Sequence, residues 1–333
     1  MPYPSHDTSI YSVDIDPSRA NDAHAFMLEL TGYNKRVLEL GCTAGHMTRA
    51  LVKQGCTVVG VELDPEAADH AREVAEEVIV GDLDQPETLA TLTPGQFDVI
   101  LAGDVLEHLR DPMTPLRASR PLLKPGGELV VSIPNVAHAD LRLRLLDGDF
   151  PYQPYGLLDT THLRFFTWQT LKDLLYAAGY VPIEAKRVIV PMFGSELAVD
   201  RSRVDPQVVD MILRDPECET YQFVVRCVVD DGNAAVTEIA GRLERLESQL
   251  RDQTIERALL AQQLTATEEK LRLADARAVQ AEGKATAAEQ SVSALEQTSL
   301  FRHTYRARQF YGRFRGFSSG PGAGGPGANG KRP

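Results

Sequence analysis

At 333 residues the chain exceeds one ordinary domain, and a hydrophobic content of 43% suffices for a sizeable core. Its 35 Lys and Arg against 47 Asp and Glu leave a net charge of −12, which argues against whole-chain attraction to nucleic acid. The four cysteines, Cys42, Cys56, Cys218 and Cys227, lack metal-type spacing and read as reduced thiols. The polar start MPYPSHDTSI has no signal-peptide pattern, and no run approaches the roughly 20 apolar residues of a membrane span.

Residues 1–230 alternate strand-like and helix-like segments, the pattern of an α/β doubly wound sheet. Arg36–Leu40 reads as a short buried strand. A Gly-Cys-Thr-Ala-Gly turn follows, and Ala44–Gln54 then has helical spacing with Met47 and Leu51 on one face. The next strands are expected at Val58–Leu63, Val78–Asp82, Phe97–Ala102 and Glu128–Ile133. Val181–Val190 and Tyr221–Val229 are expected to add edge strands as an antiparallel pair. The LKPGG stretch before Glu128 reads as a helix stop at Pro125 followed by a chain reversal at the glycines.

Beyond Asp231 the character changes. Every seventh residue from Val236 to Val292, and from Ile239 to Leu295, is apolar or Ala, with only Arg257, Gln253 and Thr267 breaking the two rows. The pattern predicts a coiled coil over 231–300 through which the chain self-associates, against the plainer reading of a single charged helix. Residues 301–333 open with FRHTYRARQFYGRFRGF, which holds five arginines, six aromatics and no acid, and close in a Gly/Pro-rich stretch expected to be disordered. Arg interleaved with aromatics suits anionic lipid headgroups or a phosphate-bearing polymer; a solvated basic tail is the plainer reading.

The first glycine turn gains meaning from what lies downstream. Gly41 and Gly45 bracket it, where a missing Cβ permits unusual dihedrals or a close ligand. Glu62 closes the second strand 21 residues after Gly41, placed to accept hydrogen bonds from both hydroxyls of a ribose. Asp82 ends the third strand beside the backbone of Leu83, placed for an adenine amino group. The turn lacks Gly-x-Gly-x-x-Gly spacing, and Gly-Lys-Ser/Thr occurs nowhere, so neither a dinucleotide fingerprint nor a P-loop is present.

These residues resemble the class I S-adenosyl-L-methionine (SAM)-dependent methyltransferase family. Its first motif, acid-x-Gly-x-Gly-x-Gly, matches ELGCTAG at Glu39, Gly41 and Gly45, with Thr43 in place of the middle glycine. VVGVELD, VIVGDLD, FDVILAGDVLEHLRDP and LLKPGGELVVSIPN look like the motifs that follow, in family order. The resemblance covers about residues 35–190. It implies a seven-stranded Rossmann-like sheet with the last strand antiparallel and SAM as cofactor. By it, Glu39 faces the methionine amino group, Glu62 the ribose and Asp82 the adenine, with Gly103 and Asp104 close to the amino-acid part. His108 is expected to cap the next helix.

An activated methyl group asks the protein to align an acceptor, exclude water and, for a hydroxyl, supply a base. The stretch after the fifth strand, from Ile133 to Trp168, is long, aromatic and polar, and is read as the acceptor lid. Within it His162 is the expected base, with Asp159 as its orienter and His138 as the other candidate; bracing of the lid by these histidines is the competing reading. His138, Asp140, Asp159 and His162 show no tight ligand spacing, so no metal is expected. GLLDTTHLRFFTWQTLKDLLYAAGY also looks similar to methyltransferases of bacterial polysaccharide and glycolipid pathways. A sugar hydroxyl is therefore the leading acceptor. The alternatives are a small aromatic, quinone-like or polyketide-like hydroxyl, and a SAM-binding scaffold without turnover. The implied location is the cytoplasm, at the inner face of an anionic membrane.

Overall fold

The computed structural model describes residues 15–232, 234–297 and 303–309. The chain divides into two compact units, residues 1–260 and 261–333.

In the first unit the strands are β1 (Arg36–Leu40), β2 (Thr57–Glu62), β3 (Glu77–Val80), β4 (Phe97–Gly103), β5 (Leu123–Pro134), β6 (Tyr180–Ile189) and β7 (Thr220–Val229). They form one sheet in the order β3-β2-β1-β4-β5-β7-β6. The β1–β2, β1–β4, β2–β3 and β4–β5 pairs are parallel; β7 runs antiparallel to both β5 and β6. The helices are α1 (Ala23–Thr31), α2 (His46–Lys53), α3 (Pro65–Ala71), α4 (Glu87–Ala90), α5 (Met113–Ser119), α6 (Ala139–Leu146), α7 (Trp168–Ala177) and α8 (Pro206–Ile212). The 64-residue α9 (Ala234–Gln297) continues into the second unit.

Consecutive strand residues serve opposite faces of the sheet. Val37, Val99 and Val130 pack with Met27, Leu28 and Leu51 of α1 and α2. Their neighbours Leu38, Ile100 and Val131 pack with Trp168, Leu171 and Leu175 of α7. Burial on both faces is why the central strands read as unbroken apolar runs. Each fully buried Val or Leu contributes roughly 1.5–3 kcal/mol.

Two expectations need correction. The pair β6 and β7 is antiparallel, but β7 is not at the edge; it inserts between β5 and β6, and only β6 is marginal. The LKPGG stretch does not reverse the chain. Leu123 already pairs with Phe97 and Glu128 pairs with Val99, so Lys124–Gly127 bulge out opposite Asp98 alone. Gly126 absorbs the bulge at φ 75°, and Lys124 Nζ bonds Asp98 Oδ1 at 2.8 Å.

In the second unit, α9 from Thr265 to Gln297 is exposed throughout, and His303–Gln309 is helical. Phe301, Arg302 and residues 310–333 of the basic and Gly/Pro-rich segments lie outside the described residues. No helix among the described residues is long and apolar enough to cross a membrane.

Candidate active site

Because β3, β2, β1 and β4 are adjacent and parallel, their carboxyl ends open at one edge of the sheet, where such sheets bind ligands. The turn Gly41–Gly45 leaves β1 there. Gly41 has φ 70°, and a Cβ on it would meet Val105 Cγ2 at 2.6 Å; Gly45 has φ 77°, and its Cβ would lie 3.0 Å from Ala71 Cα. Both positions therefore demand glycine. Thr43, standing where the motif carries its middle glycine, also takes a left-handed φ of 46°, and its N–H donates to Glu62 Oε2 at 2.8 Å. Glu62 Oε1 accepts from the Asp64 N–H at 2.9 Å. The carboxylate thus stitches the turn after β1 to the end of β2.

Glu39 is buried, and loss of solvation pushes its carboxyl up to about 8; the Thr48 hydroxyl, donating at 2.5 Å, opposes that shift. Asp82, just past the end of β3, accepts from the Asp84 N–H at 2.9 Å, and its carbonyl takes the Thr88 hydroxyl. The Leu83 side chain packs in the core. At the end of β4, Gly103 leaves room for Met27, whose Sδ would sit 2.7 Å from a Cβ there. Asp104 adopts φ 52° and accepts from Ser132 Oγ at 2.9 Å and Gln222 Nε2 at 2.6 Å, joining the ends of β4, β5 and β7. Acids at successive strand ends beside this turn suit a cationic, ribose-bearing ligand such as SAM, while the two glycines let the turn itself close against Val105 and Ala71.

Beyond Asp104 the chain forms a short 3₁₀ turn, Leu106–His108. The Glu107 carbonyl accepts the N–H groups of Leu163 at 2.8 Å and Arg164 at 2.9 Å, and so anchors the segment that follows Asp159. His108 does not cap α5. Its Nδ1 stands 3.0 Å from Thr161 Oγ1, and that hydroxyl donates to Asp159 Oδ1 at 2.6 Å. Asp159 therefore orients His108 through Thr161, not His162. The Nδ1 of His162 lies 3.3 Å from the Leu157 carbonyl. A carbonyl only accepts, so that contact places the proton on Nδ1 and leaves Nε2 as the basic nitrogen. Burial lowers the pKa of both His108 and His162, and their rings pack edge to face with centroids 4.9 Å apart.

His138 lies elsewhere. It is fully buried, accepts the Asp140 N–H on Nδ1 at 3.3 Å and bonds the Val190 carbonyl through Nε2 at 2.8 Å. With both nitrogens committed to backbone, it caps α6 and has none left for a substrate proton.

Sequence reasoning missed Glu107. Its side chain is 1% exposed, both carboxyl oxygens lack a hydrogen-bond partner, and burial with the nearby charges of Asp104 and Asp159 holds its pKa well above the carboxylate range. Among the described residues, one group of potential metal ligands stands out: Glu107, His108 and His162 each bring a ligand atom within 4.8 Å of the others. It shares only His162 with the set considered from the sequence. The adjacency of Glu107 to His108 at a strand end was the signal available. An aromatic row continues from His162 through Phe165 and Phe150 to Tyr152, with centroid separations of 6.3, 5.8 and 5.3 Å.

Residues 14–185, just over half of the chain, match a family described as a methyltransferase domain. The chain belongs to this methyltransferase family. It carries a methyltransferase domain over those residues. Its relatives include a ubiquinone biosynthesis O-methyltransferase of Cereibacter sphaeroides, 30% identical over 158 residues, covering 46% of this chain and 63% of that protein. Another of the same name from Pseudomonas aeruginosa is 35% identical over 127 residues, covering 37% of this chain and 53% of the relative. The matched segments thus span about half to under two thirds of these relatives' length. A SAM-dependent methyltransferase from Archaeoglobus fulgidus superposes with a TM-score of 0.44 at 18% identity, over 61% of this chain and 89% of its own.

Proposed function

We propose that the enzyme O-methylates a hydroxyl of a small aromatic or quinone-type acceptor. The observation that carries this reading is the kinship with ubiquinone biosynthesis O-methyltransferases. The aromatic row running from His162 to Tyr152 supports it, since such a surface suits a flat apolar ring better than a sugar. The polysaccharide acceptor expected from the lid sequence has no such support.

When bound, SAM supplies a methyl group already activated on a sulfonium. The protein's share is alignment, exclusion of water and removal of the hydroxyl proton as the oxygen–carbon bond forms and the carbon–sulfur bond breaks. Glu62 and the Gly41–Gly45 turn bind, with Glu39 facing the cofactor's ammonium. His162 Nε2 receives the proton, its imidazole kept neutral by burial and its ring fixed through Nδ1. His108, held by Thr161 and Asp159, shares the site.

The test is methyl transfer from labelled SAM to a panel of catechols and quinols beside nucleotide sugars. Transfer to phenolic hydroxyls is expected. Transfer to sugars alone restores the glycan reading, and transfer to neither leaves the SAM-binding scaffold. A second reading of the same residues comes from the unpartnered Glu107 oxygens: one carboxylate and two imidazoles form a donor set for a divalent cation that would polarise the acceptor hydroxyl. Loss of activity in a chelator, restored by a divalent metal, would favour it over the metal-free base.

A further inference from the structure

Among the described residues, helix α9 presents exposed apolar side chains along its heptad rows. Leu260, Leu264, Leu271, Val292 and Leu295 are each more than half exposed, and all fall on the two heptad rows. An exposed seam of this kind is an association surface, and its flanking charges identify what it accepts.

We propose that α9 pairs with a second copy of itself as a parallel, in-register two-stranded coiled coil. With Leu264 and Leu271 at position a and Leu260 and Leu295 at position d, the residues that border the seam fall into two rows of opposite sign. The row following each d carries Glu247, Glu268, Asp275, Glu282, Glu289 and Glu296; it holds acids and no base. The row preceding each a carries Arg242, Lys270, Arg277 and Lys284, with Glu256 its one acid.

Orientation follows from this asymmetry. In a parallel in-register pair each g residue meets the e residue of the next heptad on the partner helix. That sets Lys270 against Asp275, Arg277 against Glu282 and Lys284 against Glu289, each contact formed twice by the two-fold symmetry. Arg242 and Glu247 stand in the same relation in sequence, and no like-charged g–e pair occurs anywhere in the helix. An antiparallel pair would set e against e, bringing acid rows together along the seam, which repels.

The exceptions fit as well. Arg257 occupies an a position and Glu256 the adjoining g position, so in the parallel dimer each Arg257 leaves the seam towards Glu256 of the other helix. A charged residue at a single a position fixes register and strand number at some cost in stability. From Ala274 to Ala288 both rows are Ala, which lets two helices approach closely and leaves the charged flanks to set the pairing.

The experiment uses the full chain. Light scattering should give twice the monomer mass. A single cysteine at a d position, Ala281→Cys, should then form a disulfide between chains under mild oxidation, because identical d residues face each other only in a parallel in-register pair. The four native cysteines are buried and do not compete. Reversing the g row (Lys270→Glu, Arg277→Glu, Lys284→Glu) should weaken association by ~10-fold or more, and adding Asp275→Lys, Glu282→Lys and Glu289→Lys should restore it. These positions are exposed on α9, so methyltransferase folding is not at stake. A monomeric or trimeric mass, no Ala281→Cys cross-link, or indifference to charge reversal would each overturn the proposal.

Discussion

The hydroxyl of Thr161 bridges His108 and Asp159, 3.0 Å from the imidazole Nδ1 and 2.6 Å from the carboxylate. Together with the Thr161 carbonyl, 3.3 Å from the same nitrogen, it fixes the proton of His108 on Nδ1 and ties the segment after Asp159 to the turn that follows β4. Thr161→Val keeps the shape and removes the bridge. The expected result is a fall in kcat of about 10–100-fold with unchanged SAM affinity and an acid limb moved along the pH axis. Thr161→Ser should recover most of the loss, whereas a purely structural threonine would leave the pH profile in place.

His162→Ala should lower the rate by about 10²–10⁴ while SAM still binds, the range for a lost general base. The wild-type acid limb should lie below pH 6.5, since burial lowers the pKa of His162 and of His108 and the unprotonated form persists into more acidic solution. Stability should move the same way. Folded imidazoles with depressed pKa bind fewer protons than the unfolded chain, so the fold loses stability as pH drops through 6.5 towards the folded values. Thermal melts across that window, with kcat/KM at each pH, check both; an acid limb above 6.5 contradicts the assignment.

What the sequence made legible was local. Arg36–Leu40 matches β1 residue for residue because a doubly buried strand is a plain apolar run, and Glu62 at the end of β2 follows from its spacing after the glycine turn. The lid cluster was not legible, because Glu107 and His108 meet Thr161 and His162 across more than 50 residues, through backbone bonds to the Glu107 carbonyl that no periodicity encodes. The same holds for β7, whose insertion beside β5 is a long-range pairing. Pro125-Gly126-Gly127 misled for a different reason: its turn chemistry is real, but the chain spends it on a bulge within β5. The heptads of α9 were visible at once, because a seven-residue repeat is read without any tertiary contact.

Glu62→Ala removes the proposed ribose acceptor and also two observed bonds, from the N–H groups of Thr43 and Asp64. Weakening of SAM binding by roughly 1.5–3 kcal/mol is expected, the range for hydrogen bonds to a charged group. Thr43 holds a left-handed backbone there, so the turn should also loosen. Calorimetry on the folded variant reads the affinity, and hydrogen exchange at residues 41–45 reads the turn. Unchanged affinity would remove Glu62 from the ribose.

Glu39 supplies a prediction that reports on the cofactor's amino group alone. Burial raises its pKa from 4.5 to about 8, so in the free protein at pH 7 the carboxyl is largely protonated. Between those two values the folded chain holds a proton that the unfolded chain does not, and its contribution to stability declines as pH rises through that window. An ammonium brought beside Glu39 favours the carboxylate and expels that proton. SAM binding at pH 7 should therefore release up to about one proton. Calorimetric enthalpies measured in buffers of different ionisation enthalpy should differ in proportion, and the difference should shrink at pH 9, where the free carboxyl is already ionised. Glu39→Gln keeps the size and the Thr48 contact but has no proton to lose, so its enthalpy should be independent of buffer. A wild-type enthalpy that ignores the buffer at pH 7 would mean the ammonium lies elsewhere in the cleft.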